Sequence, residues 1–310
     1  MKSKLITLLA AAGILLGLAI LAYPVVSNVS FRNNQQELAD YYENSIKAID
    51  PQELDSMIDD CNRYNEQLLN SKVRLTDPFE NEKERLEEHP YIDLLNQNGD
   101  GAMGILEIPA IKSKLAIYHY TDDEVLAKGI GHLQGTSLPV GGKGTHCVLS
   151  GHTGTADKEM FTNLDQLREG DVFYIYTLGN TLAYKVDQIQ VVLPEETEGL
   201  YIDREKDYVT LVTCTPYGIN SHRLLVRGER IEYEEAKQIE NTQGTFKTHT
   251  WAKQYIYAMI VGVIISVGVV ILIIVIYRRI LKKKTSSGSK EEKTNTAKDN
   301  TDNTDDEKID

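Results

Sequence analysis

The sequence has little cysteine, three residues in 310, and no excess of positive charge. Its formal charge of −13 argues against a nucleic-acid partner, because phosphate backbones require a basic surface. Three cysteines cannot all pair, so at least one thiol stays free and is a candidate reactive group. A disulfide between Cys61 and Cys147 is one alternative that the sequence allows. His146, Cys147 and His152 lack the paired spacing of a zinc site, which argues against metal chemistry.

The first long apolar run extends from Leu5 to Tyr23, and Pro24 interrupts it. It is long for the apolar part of a signal peptide, and no clear small-x-small cleavage site follows it. We therefore expect residues 1–30 to form a retained membrane anchor. A cleaved secretory signal is the alternative.

A second apolar run, from Tyr255 to Tyr277, contains no charge. At 1.5 Å per residue it spans roughly 35 Å, enough for a bilayer core, so we predict a transmembrane helix at 254–277. Aromatic residues flank both ends, and a cluster of arginine and lysine follows. By the positive-inside rule both chain ends lie in the cytoplasm and the region between the spans faces outward. The polar tail within 278–310 is expected to be disordered.

Residues 31–72 show helical periodicity on both sides of an Asp50-Pro51 break. Apolar residues recur at spacings of three and four: Leu38, Tyr41, Tyr42 and Ile46 before the break, and Leu54, Ile58 and Cys61 after it. This pattern predicts two amphipathic helices packed on the outside of a larger domain. A flexible helical stalk from the membrane is the competing interpretation.

Residues 101–235 change to short strand-like runs separated by glycine-rich turns. The runs include Gly104–Ile108, Lys114–Tyr118, His146–Ser150, Val172–Thr177, Leu182–Val186 and Ile189–Leu193. Several such strands with few helices among them predict a barrel or a sandwich. We assign linkers to residues 73–100 before this domain and 236–253 after it.

The most informative stretch surrounds Cys214. Residues 208–213 are typical of a strand, and Pro216 with Gly218 predicts its end at the cysteine. A second strand begins at Arg223, nine residues after the cysteine. A guanidinium held beside a thiol favours the thiolate, which is the reactive form of cysteine. A buried thiol and an unrelated surface arginine are the competing interpretation.

Thr210-Leu-Val-Thr-Cys214 resembles the Thr-Leu-x-Thr-Cys signature of sortases, the cysteine transpeptidases of Gram-positive cell surfaces. The continuation Thr-Pro-Tyr-Gly-Ile-Asn-x-His-Arg-Leu-Leu-Val-Arg-Gly is similar to the pilus-assembling group, class C. The resemblance implies that the strands form a closed eight-stranded sortase-type β-barrel. Together with the helices predicted above, we expect a mainly β chain with N-terminal amphipathic helices and with N- and C-terminal transmembrane helices. It implies no metal or organic cofactor, since calcium dependence belongs to another sortase class.

The resemblance also implies three catalytic residues. Cys214 would be the nucleophile, and Arg223 would orient the substrate carbonyl and stabilise its developing negative charge. The segment from Gly141 to His152 resembles the part of sortases that carries the catalytic histidine, and His152 itself stands in a turn between two glycines. Residues 153–157 depart from the Arg-Gly-Leu-Pro that is common in the family, which affects substrate contacts on that side. The histidines within or beside strands are expected to be structural: His119, His132, His146 and His222.

Thr76-Asp77-Pro78-Phe79 lies between the helical and strand regions. Asp-Pro alone is an ordinary turn signal. The stretch resembles the class C lid, in which Asp77 would pair with Arg223 and Phe79 would cover Cys214. Such a lid would exclude water and substrate until it is displaced.

The chain therefore resembles a membrane-anchored class C sortase. Cys214 would cleave an LPxTG-like sorting signal of a pilin through a thioester, with His152 protonating the leaving amine. The partners implied are pilin subunits with a sorting signal and an acceptor lysine, and the lipid bilayer. One alternative is a housekeeping-type sortase that anchors surface proteins to peptidoglycan. Another is a catalytically silent surface-binding module.

Overall fold

The computed structural model describes residues 2–71, 73–80, 90–153, 158–243, 257, 259–268, 270–272, 274–276 and 278–279. The chain divides into two units, Met1–Thr248 and His249–Asp310. Several sequence predictions lie outside the described residues. They concern His89, His249, residues 154–157 of the altered loop, the aromatic residues Trp251, Tyr255 and Tyr277, and the tail after residue 279.

The centre of the first unit is a closed barrel of eight strands in the order β1-β2-β3-β4-β7-β8-β6-β5. The strands are β1 (Ala102–Ile108), β2 (Ser113–His119), β3 (Ile130–His132), β4 (Thr145–Ser150), β5 (Val172–Thr177), β6 (Asn180–Val192), β7 (Asp207–Thr215) and β8 (His222–Ile231). Strand pairs are antiparallel except β2 with β3 and β4 with β7, which are parallel. The predicted eight-stranded sortase-type barrel is confirmed.

The barrel interior is filled by the alternate side chains of its strands. On β8, Leu224 and Val226 point into the main core, whereas Leu225 belongs to a separate apolar cluster on the outer face. This is the period-two alternation expected of a half-buried strand. Phe173 and Tyr184 stack with ring centroids 5.5 Å apart across the interior.

Two details of the strands differ from the sequence prediction. The runs predicted at Leu182–Val186 and Ile189–Leu193 form one strand, β6, whose pairing with β8 shifts between Val186 and Gln188. A bulge of this kind reverses the alternation of side chains, so that one strand resembles two in the sequence. Strand β3 was not predicted, because its three residues are too few to show an alternating pattern.

Helix α1 (Lys2–Lys47) is continuous through Pro24, where the sequence had indicated an interruption of the apolar run. Proline removes one backbone donor, and a long helix tolerates this loss when its remaining hydrogen bonds are kept. The C-terminal half of α1 packs on the barrel through one stripe of buried residues, namely Phe31, Gln35, Ala39, Tyr42 and Ile46. This packing contradicts the flexible-stalk interpretation.

Helix α2 (Pro51–Leu69) begins at Asp50, whose carboxylate accepts a hydrogen bond from the Gln52 amide. Cys61 and Asn65 are buried on its inner face. The prediction of two amphipathic helices on the outside of a larger domain is confirmed.

Two further helices complete the first unit. The short α3 (Asp123–Leu126) precedes β3, and α4 (Tyr233–Gln243) follows β8. Helix α4 buries Ala236 against β5 and β6, and the Tyr174 hydroxyl donates to the Glu240 carboxylate over 2.9 Å. The predicted boundary between the barrel domain and the linker at 236–253 falls inside this helix, which the sequence pattern did not predict.

Among the described residues, two helices have the length and apolar composition needed to cross a membrane. They are the Ala12–Lys47 part of α1, which contains an 18-residue window with a mean hydropathy of 1.9, and Met259–Ile276 in the second unit, with a mean hydropathy of 3.4. Both fall on the apolar runs predicted from the sequence, and both are compatible with membrane anchoring.

Candidate active site

Cys214 and Arg223 are direct neighbours across two antiparallel strands. Strand β7 continues to Thr215, one residue past the predicted end, and Cys214 stands opposite Arg223 of β8. Residues paired in this way point to the same face of a sheet, with β-carbons about 5 Å apart. In the connecting turn, Gly218 and Asn220 adopt positive φ angles of 74° and 60°, which these residue types tolerate. The strand register therefore places the guanidinium beside the thiol.

His152 follows β4 in a turn that is attached to the strand of the cysteine. The Gly151 amide donates to the Val212 carbonyl over 3.1 Å, and the Thr213 hydroxyl donates to the Gly151 carbonyl over 2.7 Å. A β-carbon on Gly151 would lie 2.6 Å from Ile130 Cδ1, so no side chain fits there. The hydrogen bonds thus fix His152 next to the end of β7.

Asp77 binds Arg223 through both carboxylate oxygens. The Arg223 Nε–H donates to Asp77 Oδ1 over 2.8 Å, and a terminal nitrogen donates to Oδ2 over 2.6 Å. Both side chains are only 11% exposed, so this ion pair is shielded from water. Asp77 also closes its own turn, since its carbonyl accepts from the Glu80 amide. Bidentate pairs of this kind are stronger than ordinary hydrogen bonds and more restricted in geometry.

Phe79 lies between Arg223 and His152. Its ring centroid is 5.1 Å from the guanidinium carbon of Arg223 and 6.0 Å from the His152 ring centroid. The first distance is that of a cation–π contact. The Asp77–Phe79 segment therefore contacts Arg223 and His152, two of the three residues predicted to be catalytic. Its aspartate binds the Arg223 guanidinium, which lies beside the third residue, Cys214.

The electrostatics of this closed arrangement keep the thiol protonated. Burial raises the pKa of Cys214, Arg223 lowers it in part, and the Asp77 carboxylate raises it again. Burial lowers the pKa of His152, the Asp123 carboxylate opposes this shift, and the positive charge of Lys158 lowers the pKa further. A neutral thiol beside a neutral imidazole is the resting form that these shifts favour at neutral pH.

An apolar patch on the outer face of the barrel adjoins Cys214, and it was not predicted from the sequence. It consists of Leu75, Leu133, Val148, Leu200, Val212 and Leu225, with Phe79 and Val192 packed against it. Leu75 and Phe79 come from the segment before the barrel and cover the strand residues of the patch. Alternation along β7 and β8 is the signal that could have found it, because Val212 and Leu225 share a face with Cys214 and Arg223.

Three of the other histidines and the two remaining cysteines are buried and have structural surroundings. His132 and His146 are buried and bond to the backbone carbonyls of Ser137 and Tyr201, whereas His119 bonds to those of Gly101 and Leu94. Cys61 and Cys147 are buried free thiols, which contradicts a bridge between them. Burial raises the pKa of both thiols, that of Cys61 to about 12. Among the described residues, no group of acidic, histidine and cysteine side chains could hold a metal ion.

Comparison with known proteins shows which family the chain belongs to. The sortase domain family matches residues 106–231. The solved structure of sortase C-1 from Actinomyces oris is 47% identical, with a TM-score of 0.54, over 58% of this chain and 99% of that chain. The chain belongs to the sortase family. A pilus-related sortase C of Group B Streptococcus is 44% identical, with a TM-score of 0.58, over 62% of this chain and 96% of that chain.

The similarity to sortases of class C confirms the resemblance noted in the sequence. Sortase D of Bacillus subtilis (strain 168) is 31% identical over 133 residues, which are 42% of this chain and 64% of the relative. The match thus spans slightly less than two thirds of that curated sortase. His152, Cys214 and Arg223 lie inside the region that matches the sortase domain, whereas Asp77 and Phe79 precede it.

Proposed function

We propose that this sortase is a membrane-anchored cysteine transpeptidase of class C, in which Cys214, His152 and Arg223 carry out the reaction. The observation that supports this most directly is the pairing of Cys214 with Arg223 across β7 and β8, with the His152 turn hydrogen-bonded to β7. Acyl transfer by cysteine requires a thiolate, a proton donor for the leaving amine and positive charge near the oxyanion. These three residues supply one requirement each.

The reaction proceeds through a thioester. The Cys214 thiol gives its proton to the neutral His152 imidazole, and its sulfur attacks the scissile carbonyl carbon. The Arg223 guanidinium stabilises the negative oxygen of the tetrahedral intermediate. The C–N bond then breaks, and His152 gives a proton to the leaving amine. A second amine attacks the thioester carbonyl, releases the Cys214 thiol and leaves the acyl group on the new nitrogen.

The substrate that we propose is an LPxTG-like sorting signal of a pilin, and the acceptor is a lysine amine of another pilin subunit. The outer-face apolar patch beside Cys214 supports an extended peptide with apolar side chains as the donor. The pilus-related sortase C from Group B Streptococcus, 44% identical, supports a pilin as the acceptor. Repeated transfer would join subunits through isopeptide bonds.

The Asp77–Phe79 segment acts as a lid in this proposal. Its aspartate occupies Arg223, and its phenylalanine lies between Arg223 and His152. A substrate carbonyl needs the same guanidinium, so the segment has to leave before acyl transfer begins.

The membrane anchoring that we propose uses α1 and the Met259–Ile276 helix as two spans. Basic residues follow the second apolar run, and the positive-inside rule then puts both termini in the cytoplasm. The barrel faces outward, where sorting signals are presented.

Mass spectrometry of the full chain in detergent, incubated with a sorting-signal peptide, tests the reaction. We expect a mass increment on the peptide fragment that contains Cys214, and no increment in His152→Ala. Fragments containing Cys61 and Cys147 serve as internal controls, because both thiols are buried. An unmodified Cys214 in the native chain and also in an Asp77→Ala, Phe79→Ala variant would show that the chain is not a transpeptidase.

The acceptor is tested separately on the loaded enzyme. A lysine-bearing pilin segment and a peptidoglycan cross-bridge amine are supplied in parallel, and the transfer product is measured. Transfer to the pilin lysine supports the pilus-assembling role. Transfer only to the cross-bridge amine indicates the housekeeping role.

A further inference from the structure

The strand directions place Cys214 at one end of the barrel, which we call the catalytic end. Strand β7 ends and β8 begins there, since Cys214 pairs with Arg223. Strand β4 ends there because Ser150 pairs with Val212, and β2 and β3, which run opposite to β4, begin there. The turn between β5 and β6, which contains Gly179, lies at the opposite end.

Helix α1 runs along the barrel from the catalytic end to the opposite end. Phe31 lines a recess with Leu115, at the beginning of β2 and therefore at the catalytic end. Farther along the helix, Tyr42 donates to the carbonyl of Met103, near the beginning of β1, and Ile46 faces Gly179. In its N-terminal direction α1 therefore leaves the barrel past the catalytic end.

The apolar N-terminal part of α1 ends close to the place where the helix leaves the barrel. Its last apolar pair is Val25-Val26, which precedes the buried Asn28 by two residues and Phe31, which contacts the barrel, by five. At 1.5 Å per residue the separations along the helix are about 3 Å and about 8 Å. The headgroup layer on one side of a bilayer is roughly 5–8 Å thick. A bend at Pro24 tilts the barrel but does not reverse the direction of the helix.

The turn between β7 and β8 presents uncharged and apolar side chains at the same end. Residues 215–221 read Thr-Pro-Tyr-Gly-Ile-Asn-Ser, and Tyr217 and Ile219 are 64% and 71% exposed. Tyrosine is enriched at membrane–water interfaces, where its ring is buried and its hydroxyl is hydrated. Arg32 and Lys112 line the recess beside α1 and add positive charge, in a protein whose net charge is negative.

We propose that the catalytic end of the barrel lies on the outer surface of the membrane, with Tyr217 and Ile219 inserted among lipid headgroups. The proposal rests on the proposed role of α1 as a membrane span. Lipid is the partner that we assign to the 215–221 turn. The turn carries no charge that would have to be desolvated, and it lies at the end of the barrel from which the apolar part of α1 extends. Cys214, next to this turn, is then held at the depth where a membrane-tethered substrate leaves the bilayer.

Fluorescence quenching in the full chain tests this orientation. The single native tryptophan is removed by Trp251→Phe, and one tryptophan is introduced by Ile219→Trp, Asn180→Trp or Leu15→Trp. Each variant is reconstituted in vesicles of phosphatidylcholine and phosphatidylglycerol, with and without bromine on the upper part of the acyl chains. We expect brominated lipid to lower the emission of Ile219→Trp about twofold, as for an interfacial indole. Asn180→Trp, an exposed site at the beginning of β6 and therefore at the opposite end, should be unaffected.

Leu15→Trp reports on the span itself and separates the two proposals. Quenching of Leu15→Trp without quenching of Ile219→Trp would overturn the orientation and leave the anchoring intact. Unquenched emission from Leu15→Trp would show that α1 does not enter the bilayer, and the orientation would be wrong with it. Equal quenching of Ile219→Trp and Asn180→Trp would also overturn the proposal, because the barrel would then have no preferred end at the membrane.

Discussion

At the scale of single residues, β8 carries two bidentate arginine–aspartate pairs that differ in what lies beside them. Arg223 binds Asp77 and Arg227 binds Asp187, each with a closest contact of 2.6 Å. Only the first pair adjoins Cys214, and there the carboxylate competes with a thiolate for the same guanidinium. The pair therefore holds the Asp77–Phe79 segment in place and raises the pKa of the thiol that we propose as the nucleophile.

We predict that Asp77→Asn lowers the pKa of Cys214. Burial of the thiol and the Asp77 carboxylate both raise this pKa, and Arg223 lowers it. The asparagine amide carries no negative charge, so it binds Arg223 more weakly and holds the Asp77–Phe79 segment less tightly. The Arg223 guanidinium is then available to stabilise the Cys214 thiolate. The rate of Cys214 alkylation by iodoacetamide, measured against pH, should reach half of its maximum at a lower pH than in the native protein.

Asp187→Asn is the matched control for this measurement. It breaks the corresponding pair on the same strand, four residues along, without changing a group beside the thiol. Its alkylation profile should superimpose on that of the native chain. If both variants shift the profile equally, the effect comes from loosening β8, and the specific role of Asp77 is wrong.

At the scale of the elements, side-chain amides attach the two N-terminal helices to the barrel. Gln35 of α1 accepts from the Ala116 amide over 2.9 Å and donates to the Lys128 carbonyl over 2.9 Å. Asn65 of α2 forms the same reciprocal pair with both backbone groups of Leu138. A side-chain amide carries one donor group and one acceptor. It can therefore form hydrogen bonds with a backbone N–H and a backbone carbonyl, as a neighbouring strand would.

These attachments show why the sequence predicted the helices but not the faces they bury. Gln35 is 1% exposed and Asn65 is 3% exposed, although a pattern of apolar residues assigns both to the solvent side. Tyr41, which fits the apolar spacing, is 56% exposed. Spacing identifies a helix, whereas the buried face depends on backbone groups of the barrel that are far away in the sequence.

We predict that Gln35→Ala lowers the free energy of unfolding by about 2–4 kcal/mol, because it leaves a buried backbone donor and acceptor without their partner. Urea unfolding of the full chain in detergent, followed by near-ultraviolet circular dichroism, measures the loss. Gln36→Ala is the control, since its exposed side chain bonds only to Asp40. A similar cost for both variants would contradict the proposal, because alanine favours a helix at least as well as glutamine and only Gln35 bonds to the barrel.

The proximity of Cys214 and Arg223 could be predicted from a local stretch, since a strand, a short turn and a second strand bring them together. Their catalytic roles were predicted only from the resemblance to sortases. The outer-face apolar patch could not be predicted in the same way, because Leu75, Leu133 and Val148 come from three distant segments. Only closure of the barrel brings them together.

At the scale of the whole molecule, buried neutral histidines make the fold sensitive to acid. His132 and His146 are 0% and 1% exposed, and burial lowers the pKa of each to about 4. His132 bonds to the Tyr91 hydroxyl, and His146 bonds to Thr210. Both link strands of the barrel to neighbouring segments, so their protonation would affect the fold as a whole.

We predict that the free energy of unfolding falls as the pH falls from about 6.5 to about 5. In the unfolded chain each histidine takes up a proton near its ordinary pKa of about 6.5, whereas in the folded chain it stays neutral until about pH 4. Between these values the unfolded state binds more protons, so acid favours unfolding. Each histidine contributes up to about 1.4 kcal/mol per pH unit to the slope, measurable by urea unfolding at a series of pH values.

His146→Gln should reduce this slope by up to about 1.4 kcal/mol per pH unit, because one titrating group is gone. Thr210→Val is the matched variant, since it removes the hydroxyl bonded to His146 Nε2 and leaves the imidazole in place. We expect Thr210→Val to lower the free energy of unfolding at every pH while keeping the slope. An unchanged slope in His146→Gln would mean that His146 is already protonated in the folded barrel, and its neutral, buried state would then be wrong.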